Sequence, residues 1–281
     1  PRASPTPTPR GGSAASPESP QSVPEDVLQL EDDGLGPLVL EVDELSFHIG
    51  TKAILDRVCV RTQKGELTAV LGESGSGKST LLNVLAGRAA YGSCSGQLRL
   101  NGSTFASEAS WWASRFVSFV EQKYIVFKEL TVFENLYYAA RLRLARGTAA
   151  SVRYELIEST LALLGLEAQR DMVCDPSLGA ARLSGGQLRR VTIGIEMVTE
   201  PRVLLLDEPT SALDAVNSSV VVSVLHSIAE RGRIVVASMH QPRPSAFALV
   251  DRVLLLRSGE LAYGGLRHDV LEYFEKHGFR L

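Results

Sequence analysis

Cysteine is scarce in this sequence of 281 residues, which contains Cys59, Cys94 and Cys174. The three are widely spaced, and neither a CxxC pair nor a histidine cluster accompanies them. This pattern excludes a disulfide-stapled scaffold and disfavours a metal or redox site built on cysteine. We expect three reduced thiols that are buried as small hydrophobic side chains.

Long hydrophobic runs are also missing, since no apolar segment approaches the roughly 18 to 20 residues needed to cross a bilayer. Hydrophobic residues make up 44% of the chain and charged residues 22%, which is the balance of a globular protein. The net charge of -3 disfavours a nucleic-acid partner, which would require a basic face. Because the sequence starts with proline and shows no signal peptide, we expect it to be part of a longer protein.

Proline is concentrated at one end of the chain, with seven of the thirteen prolines in the first 24 residues. A segment of this composition cannot bury enough apolar surface to offset the entropy lost on ordering. We therefore predict a disordered tail over residues 1–36 and one folded domain over residues 37–281. A plain linker is favoured over a phosphorylated regulatory segment as the interpretation of this tail.

From residue 38 onwards, strand and helix patterns alternate. "LEVDELSFHI" and "ILDRVCVRT" are typical of half-buried antiparallel strands, and "GQLRLNG" of an edge strand ending in an Asn-Gly turn. "LTAVLG", "RVLLLDEP" and "RIVVASMH" are uniformly apolar, as in the buried strands of a parallel sheet. Roughly residues 123–200 are mostly helical, with Ser151 as a candidate N-cap and Gly165 as a candidate helix terminator. The predicted fold is α/β, with a mixed sheet, an antiparallel β subdomain and a helical insert.

A phosphate-binding loop is predicted at "GESGSGKST", which follows a strand and opens a helix. The segment fits GxxxxGK[ST], and the flanking strand and helix are the context that this motif requires. Glycines let successive N–H groups converge on phosphates, and the helix dipole adds to the attraction. We expect Lys78 to bridge the β- and γ-phosphates and the Ser79 hydroxyl to bind Mg²⁺. The candidate residues are Gly72, Glu73, Ser74, Gly75, Ser76, Gly77, Lys78, Ser79 and Thr80.

Candidate catalytic residues follow three of the predicted strands. Asp207 and Glu208 end the strand "VLLL", where ligands of open α/β sheets bind. We expect Asp207 to hold the Mg²⁺ shell and Glu208 to orient or deprotonate the attacking water. Gln122 follows "RFVSFVE" and could reach the Mg²⁺ or that water, and His240 follows "IVVAS", on a strand expected beside that of Asp207.

A second anion-binding element is predicted at "LSGGQLRR". Ser184 can cap a helix there, and Gly185 and Gly186 leave backbone N–H groups bare in its first turn, with Gln187 following. Because a complete phosphate loop occurs about a hundred residues earlier, this second element needs a phosphate of its own.

Taken together, these residues resemble the ATP-binding cassette (ABC) ATPases. The ordered set is "GESGSGKST", Gln122, "LSGGQ", "LLLDEP", "SALD" and His240, and six motifs in this order are highly specific. The resemblance extends from about residue 38 to residue 281. "ELTVFENLYYAARLRL", "SMHQPR" and "GGLRHDVLEYFEKHGF" are similar to subfamily G, the white-type half-transporters.

The resemblance implies an ATPase of the P-loop NTPase class that binds ATP and Mg²⁺ and powers membrane export. In that family two cassettes pair head to tail, and "LSGGQ" of one copy contacts the ATP held by the phosphate loop of the other. Asp214 in "SALD" would cross the same interface. The implied partners are a second cassette, identical or not, and a transmembrane domain C-terminal to Leu281. The cassette would lie on the cytoplasmic side of a membrane, and the fragment itself would be soluble.

Two positions depart from the family pattern. Relatives often stack the adenine on an aromatic residue near the end of the first strand, where this sequence has Ile49, with Phe47 and His48 close by. The choice between ATP and GTP is therefore open. Subfamily members also commonly have Glu where this sequence has Gln187.

Two alternatives remain at this point. One is a soluble ABC ATPase that acts on ribosomes or DNA, a class that usually carries two cassettes or a long coiled-coil insert and a basic surface. The other is a cassette that binds ATP without hydrolysing it, which the presence of Glu208 and His240 disfavours. In an exporter, selection of the transported substrate would reside in the membrane helices.

Overall fold

The computed structural model of the chain describes residues 38–104, 116–175, 177 and 183–279. Within these ranges the chain forms two β-sheets and a set of helices. The tail predicted over residues 1–36 lies outside the described residues.

An antiparallel sheet of four strands comes first in the chain, in the order β2-β1-β4-β5. Its strands are β1 (Val39–Ile49), β2 (Lys52–Gln63), β4 (Ser93–Leu100) and β5 (Ser103–Thr104). The predicted Asn-Gly turn joins β4 to β5, with φ of 52° at Asn101 and 79° at Gly102. Because the short β5 pairs with β4, β4 is not the edge strand that the sequence pattern predicts.

A mixed sheet of six strands holds the apolar segments, in the order β10-β9-β3-β8-β7-β6. Neighbours from β9 to β6 are parallel, and β10 is antiparallel to β9. The strands are β3 (Leu67–Gly72), β6 (Val117–Val120), β7 (Val203–Leu206), β8 (Ile234–Ser238), β9 (Arg252–Arg257) and β10 (Glu260–Leu266). The mixed and antiparallel sheets confirm the predicted α/β class.

Helices connect and cover the strands. The α-helices of the described residues are α1 (Lys78–Leu85), α2 (Val132–Arg143), α3 (Ala150–Leu164), α4 (Gly185–Met197), α5 (Ala215–Glu230), α6 (Pro244–Phe247) and α7 (Val270–Lys276). The N-cap of α3 is Ala149, so the prediction of Ser151 is wrong, whereas Gly165 does end this helix in the left-handed conformation. Among the described residues, none of the helices has the length and apolar character needed to span a membrane.

The mixed sheet separates two hydrophobic clusters because successive side chains of a strand point to opposite faces. In β7, Leu204 and Leu206 belong to the cluster formed with α2, α3, α4 and α5. Val203 and Leu205 belong to the other cluster, which contains α1 and the antiparallel sheet. A strand that is buried on both faces is mostly apolar, which explains the composition of β7 and of the first four residues of β8.

The three cysteines differ in environment. Cys174 is buried, as predicted, and burial raises the pKa of its thiol to about 11. Cys59 and Cys94 are exposed, so the prediction of burial is wrong for them. Both lie on strands of the antiparallel sheet, whose outer face includes many exposed side chains.

Helices α4 and α5 approach each other closely at a glycine. A Cβ atom built on Gly186 would lie 2.8 Å from the Cβ of Asn217 and closer still to its Oδ1. Separations under 3.0 Å require one of the helices or the Asn217 side chain to shift. Gly186 is therefore a packing residue between the two helices as well as part of the "LSGGQ" segment.

We expect Gly186→Ala to lower the free energy of unfolding by about 1–3 kcal/mol, the usual range for an overpacked core. Asn217→Ala opens the space, so the double variant should recover most of this loss. Urea denaturation of the four proteins in the cycle measures the coupling. Gly147→Ala is the matched control, because a Cβ there meets nothing within 4 Å. Additivity of the two single changes within about 0.5 kcal/mol would contradict the contact.

Candidate functional site

The phosphate loop joins β3 to α1 through glycines with positive φ. Gly72, Gly75 and Gly77 have φ of 148°, 80° and 104°, values that L-residues with side chains rarely adopt. At Gly72 a Cβ would also lie 2.6 Å from Ser76 Oγ and still closer to the carbonyl oxygen of Leu256. The loop conformation therefore depends on glycine at these positions.

Lys78 is the first residue of α1, and its side chain folds back over the loop. Its Nζ donates to the carbonyl oxygens of Gly72 at 2.9 Å and Glu73 at 2.8 Å, and the residue is 6% exposed. Ser76 Oγ is buried beside it and has no hydrogen-bond partner. The first N–H groups of a helix also lack intrahelical partners. An ammonium, a free hydroxyl and helix N–H groups form a set of donors that fits a phosphate.

Asp207 follows β7 and receives two hydroxyl hydrogen bonds. Ser79 Oγ, from the first turn of α1, donates to Asp207 Oδ1 at 3.0 Å. Ser238 Oγ, from the end of β8, donates to the same oxygen at 2.7 Å. Since Ser79 uses its hydrogen in this bond, its oxygen lone pairs are directed elsewhere and are suited to a cation.

A divalent cation at this position would be held by a small mixed set of oxygen ligands. Among the described residues, no group of three or more His, Cys, Asp or Glu side chains is arranged to hold a metal ion. Ser79 and Asp207 supply a hydroxyl and a carboxylate, and Mg²⁺ typically binds few protein oxygens together with waters and substrate phosphates. The residues present therefore fit Mg²⁺ that arrives with a nucleotide.

Glu208 has a strained backbone and a defined side-chain partner. Its φ is 45°, in the left-handed region, and its N–H donates to Ser238 Oγ at 2.8 Å. Gln122 Nε2 donates to Glu208 Oε2 at 2.7 Å. The structure thus brings Gln122 to the carboxylate of Glu208, and the adjacent carboxylates of Asp207 and Glu208 have different partners.

His240 lies two residues beyond β8, the strand that neighbours β7 as predicted. Its side chain is exposed, and among the described residues it forms no hydrogen bond with Asp207, Glu208 or Gln122. The structure therefore places His240 beside the site without joining it to the carboxylates.

The "LSGGQ" segment opens α4 as predicted, with Ser184 at the N-cap. Ser184 Oγ accepts from the N–H of Gln187 at 3.2 Å, and Gln187 Oε1 accepts from the N–H of Ser184 at 2.7 Å. This capping box uses the side chains of Ser184 and Gln187 within their own helix. The N–H groups of Gly185 and Gly186 remain in the first turn, where an anion is favoured.

Asp214 caps the neighbouring helix α5. Its Oδ1 accepts from the N–H groups of Asn217 at 2.9 Å and Val216 at 3.0 Å. The hydrogen bond from the Asn217 backbone is the main cause that lowers the pKa of this carboxyl group below its usual value. Asn217 also lies against Ser184, with 3.4 Å between Asn217 Oδ1 and Ser184 Oγ. The starts of α4 and α5 therefore form one continuous surface.

The motif pattern missed two residues. Ser238 binds both Asp207 and Glu208, and its signal in the sequence is a polar residue at the end of the apolar strand "IVVAS".

The second residue is Arg189, which is 1% exposed. It donates from Nη1 to the carbonyl oxygen of Glu121 at 2.7 Å and from Nη2 to that of Gln122. Burial lowers its pKa, and its guanidinium lies 4.6 Å from the ring centroid of Tyr124. Its signal was an arginine on the buried face of α4.

The residues near the expected adenine position divide between core and surface. Phe47 is fully buried, and its ring packs edge-on against Tyr91 at 5.4 Å between centroids. Ile49 is 44% exposed, and His48 is half-buried. Phe47 is therefore a core residue, and its ring face is not available to a base.

Comparisons with known proteins agree with these motifs. The family model described as "ABC transporter" matches residues 55–211. The chain is 40% identical over 254 residues to ABC transporter G family member 19 of Arabidopsis thaliana, covering 86% of this chain and 35% of that protein. It is 38% identical over 221 residues to ABC transporter G family member 8 of Dictyostelium discoideum, covering 77% of this chain and 34% of that protein.

The chain spans about a third of the length of the curated relatives it matches. The matched relatives carry the G family name in both a plant and an amoeba, and the family model covers more than half of this chain. The matched range includes the phosphate loop, Gln122, "LSGGQ" and the Asp207–Glu208 pair. The chain therefore belongs to the ABC transporter family, as a nucleotide-binding domain most like those of subfamily G.

Proposed function

We propose that this chain binds and hydrolyses ATP to power export by a membrane half-transporter of subfamily G type. In this proposal residues 37–281 form the nucleotide-binding domain, with a helical subdomain over roughly residues 123–200. The transmembrane domain follows C-terminally, and the cassette lies on the cytoplasmic side. The relatives that are about three times longer than this chain and bear the name ABC transporter support the proposal.

The observation that carries the proposal is the cluster at the carboxyl ends of three adjacent parallel strands. β3 leads to the phosphate loop, β7 to Asp207 and Glu208, and β8 to Ser238 and His240. The hydrogen bonds from Ser79 to Asp207 and from Gln122 to Glu208 bring phosphate-binding and acid–base groups together. This combination is what hydrolysis of a nucleoside triphosphate requires.

The protein groups then have separate tasks. The loop N–H groups and Lys78 bind the β- and γ-phosphates, with Lys78 exchanging the carbonyl oxygens of Gly72 and Glu73 for phosphate oxygens. Mg²⁺, when bound with ATP, neutralises charge that develops on the phosphate oxygens. Ser79 and Asp207 hold that ion, and Gln122 fixes Glu208 through Oε2, so that Oε1 faces the attacking water. His240 contacts the γ-phosphate.

The bare N–H groups of Gly185 and Gly186 act on the ATP of a second cassette, paired head to tail. Their own chain already contains a complete set of phosphate donors in the loop before α1. At the surface formed by the starts of α4 and α5, Ser184 lies beside Asn217, which also bonds to Asp214. The "LSGGQ" segment and Asp214 therefore meet the second cassette together. Loss of the bridging γ-phosphate opens the dimer, and the helical subdomain transmits the movement to the membrane domain.

A soluble ABC ATPase that acts on ribosomes or DNA is the less supported alternative. The net charge of -3 provides no excess of basic side chains for a nucleic acid. The two relatives described above carry the name ABC transporter, which favours a membrane partner and no nucleic acid.

We expect Glu208→Gln to keep ATP binding and to slow hydrolysis at least ~100-fold, because a positioned general base contributes about that much or more. Hydrolysis is measured in a dimer of two covalently tethered copies, and binding by titration with ATP. Glu200→Gln is the matched control, because Glu200 also has positive φ, of 51°, and its side chain is 62% exposed. Native turnover in the Glu208→Gln dimer would refute the assignment of Glu208.

The head-to-tail arrangement is tested by mixing two defects in one tethered dimer. One copy carries Gly185→Asp, which opposes the partner's γ-phosphate with a negative charge, and the other carries Lys78→Ala, which removes the phosphate-binding ammonium. A homodimer that carries the same defect in both copies should trap no ATP. The mixed dimer combines the intact phosphate loop of the first copy with the intact "LSGGQ" segment of the second, so ATP should be trapped at one site per dimer. If "LSGGQ" acts within its own chain, mixing restores nothing.

We expect weak discrimination between ATP and GTP, under about tenfold in Kd or ~1.4 kcal/mol, since Ile49 has no ring to stack on the base. Ile49→Tyr should tighten ATP binding, because stacking of a base on an aromatic side chain contributes about 1–3 kcal/mol. Val152→Tyr is the control, since Val152 is 43% exposed against 44% for Ile49. Calorimetric titration with a GTP affinity ~100-fold below that for ATP would contradict this expectation.

A further inference from the structure

Ser238 is a buried polar residue in a strand that is otherwise apolar. It ends β8, has no exposed surface, and follows Ile234, Val235, Val236 and Ala237. A buried hydroxyl is unfavourable unless its donor and acceptor capacities are used. The Ser238 hydroxyl uses both, and both partners belong to the site.

The two hydrogen bonds of Ser238 reach two different residues that directly follow the neighbouring strand β7. Its hydrogen goes to Asp207 Oδ1 at 2.7 Å, which fixes the orientation of that carboxylate. Its oxygen accepts from the N–H of Glu208 at 2.8 Å, which fixes the backbone at a residue with φ of 45°. A left-handed conformation at a residue with a side chain persists only where surrounding contacts impose it.

We propose that Ser238 is a positioning residue for hydrolysis, whose single hydroxyl sets the carboxylate of Asp207 and the backbone of Glu208 at the same time. The inference rests on the proposed function, since it concerns the two carboxylates to which that function assigns metal binding and water activation. Ser238 has no exposed surface, so it acts through its bonds to Asp207 and Glu208. It also joins β7 to the strand that leads to His240, so the two strands present their residues in a fixed relation.

A second buried serine shows what an ordinary strand hydroxyl does in this protein. Ser118 lies on β6, is 6% exposed, and donates to the backbone carbonyl oxygen of Glu196 at 3.3 Å. Its single bond joins β6 to the end of α4 and involves no carboxylate. Ser118→Ala therefore removes a buried serine hydroxyl from a strand of the same sheet without changing the groups around Asp207.

Three changes at Ser238 separate the hydroxyl from its volume. Ser238→Ala removes the hydroxyl, Ser238→Cys keeps a similar size with a weak donor, and Ser238→Thr keeps the hydroxyl and adds a methyl group. Each is made in both copies of the tethered dimer, beside Ser118→Ala and Glu208→Gln. The measurements are single-turnover ATP hydrolysis, ATP affinity with Mg²⁺ and with EDTA, and deuterium exchange of the peptide that contains Glu208.

We expect Ser238→Ala and Ser238→Cys to lower the hydrolysis rate about 10- to 100-fold, the range found for residues that orient metal ligands. The gain in ATP affinity from Mg²⁺ should shrink, while ATP affinity in EDTA stays native, because the phosphate loop is untouched. The Glu208 amide should exchange faster once its acceptor is gone. Ser238→Thr should restore these properties, and Ser118→Ala should alter thermal stability alone.

The inference is overturned by native hydrolysis in Ser238→Ala, or in Ser238→Cys where the alanine variant does not fold. It is overturned equally by a slow variant in which Glu208 exchange and the Mg²⁺ dependence remain native, because Ser238 would then act by another route. Failure of the proposed function gives a different result, namely no ATP hydrolysis by the unsubstituted dimer; exchange of the Glu208 amide in Ser238→Ala then still tests the contact. Slow Glu208→Gln with native Ser238→Ala would leave the function standing and remove Ser238 from it.

Discussion

The carboxylate of Asp207 is the contact on which the site depends. One oxygen accepts from Ser79 at the start of α1 and from Ser238 at the end of β8, so the loop after β3, the end of β7 and the end of β8 meet at one atom. Hydrogen bonds to a charged group contribute about 1.5–3 kcal/mol each, more than neutral ones. The phosphate loop is thereby held in a fixed relation to Glu208, which follows Asp207 directly.

The backbone around this carboxylate is built from conformations that the local sequence does not favour. Gly72, Gly75 and Gly77 take positive φ where glycine allows it, whereas Glu208 takes φ of 45° with a full side chain. The tertiary structure holds Glu208 in place through the Ser238 acceptor on one side and the Gln122 amide on the other. Strain of this kind is typical of residues whose side chains must be presented in one direction.

Helix α4 connects this site with the surface proposed to meet a second cassette. Its first turn carries the capping box of Ser184 and the close contact of Gly186 with Asn217. One turn later, Arg189 donates to the carbonyl oxygens of Glu121 and Gln122. A displacement of α4 would therefore be transmitted to the residue that holds Glu208, through bonds within a single rigid helix.

The sequence by itself determined the α/β class, the family and most of the local structure of the motifs. Apolar runs such as "VLLL" predict strands, and Ser184 predicts a helix start, because the apolar pattern and the helix cap are both set by residues close together in the chain. Local propensity failed at Ser151, because the N-cap is Ala149, two residues earlier. It also failed for Cys59 and Cys94, since exposure depends on what covers a strand.

The tertiary structure alone decided which polar residues meet. Ser238 bonds to Asp207 across 31 residues of sequence, and Arg189 bonds to Glu121 across 68, so no local pattern could assign these partners. The structure also showed that Gly186 is required by helix packing and that Phe47 is a core residue. The physical reason is that the spacing of apolar side chains along one element predicts which of its faces is buried. The order of the strands in the sheet, in contrast, decides that the hydroxyl of Ser238 lies against the carboxylate of Asp207.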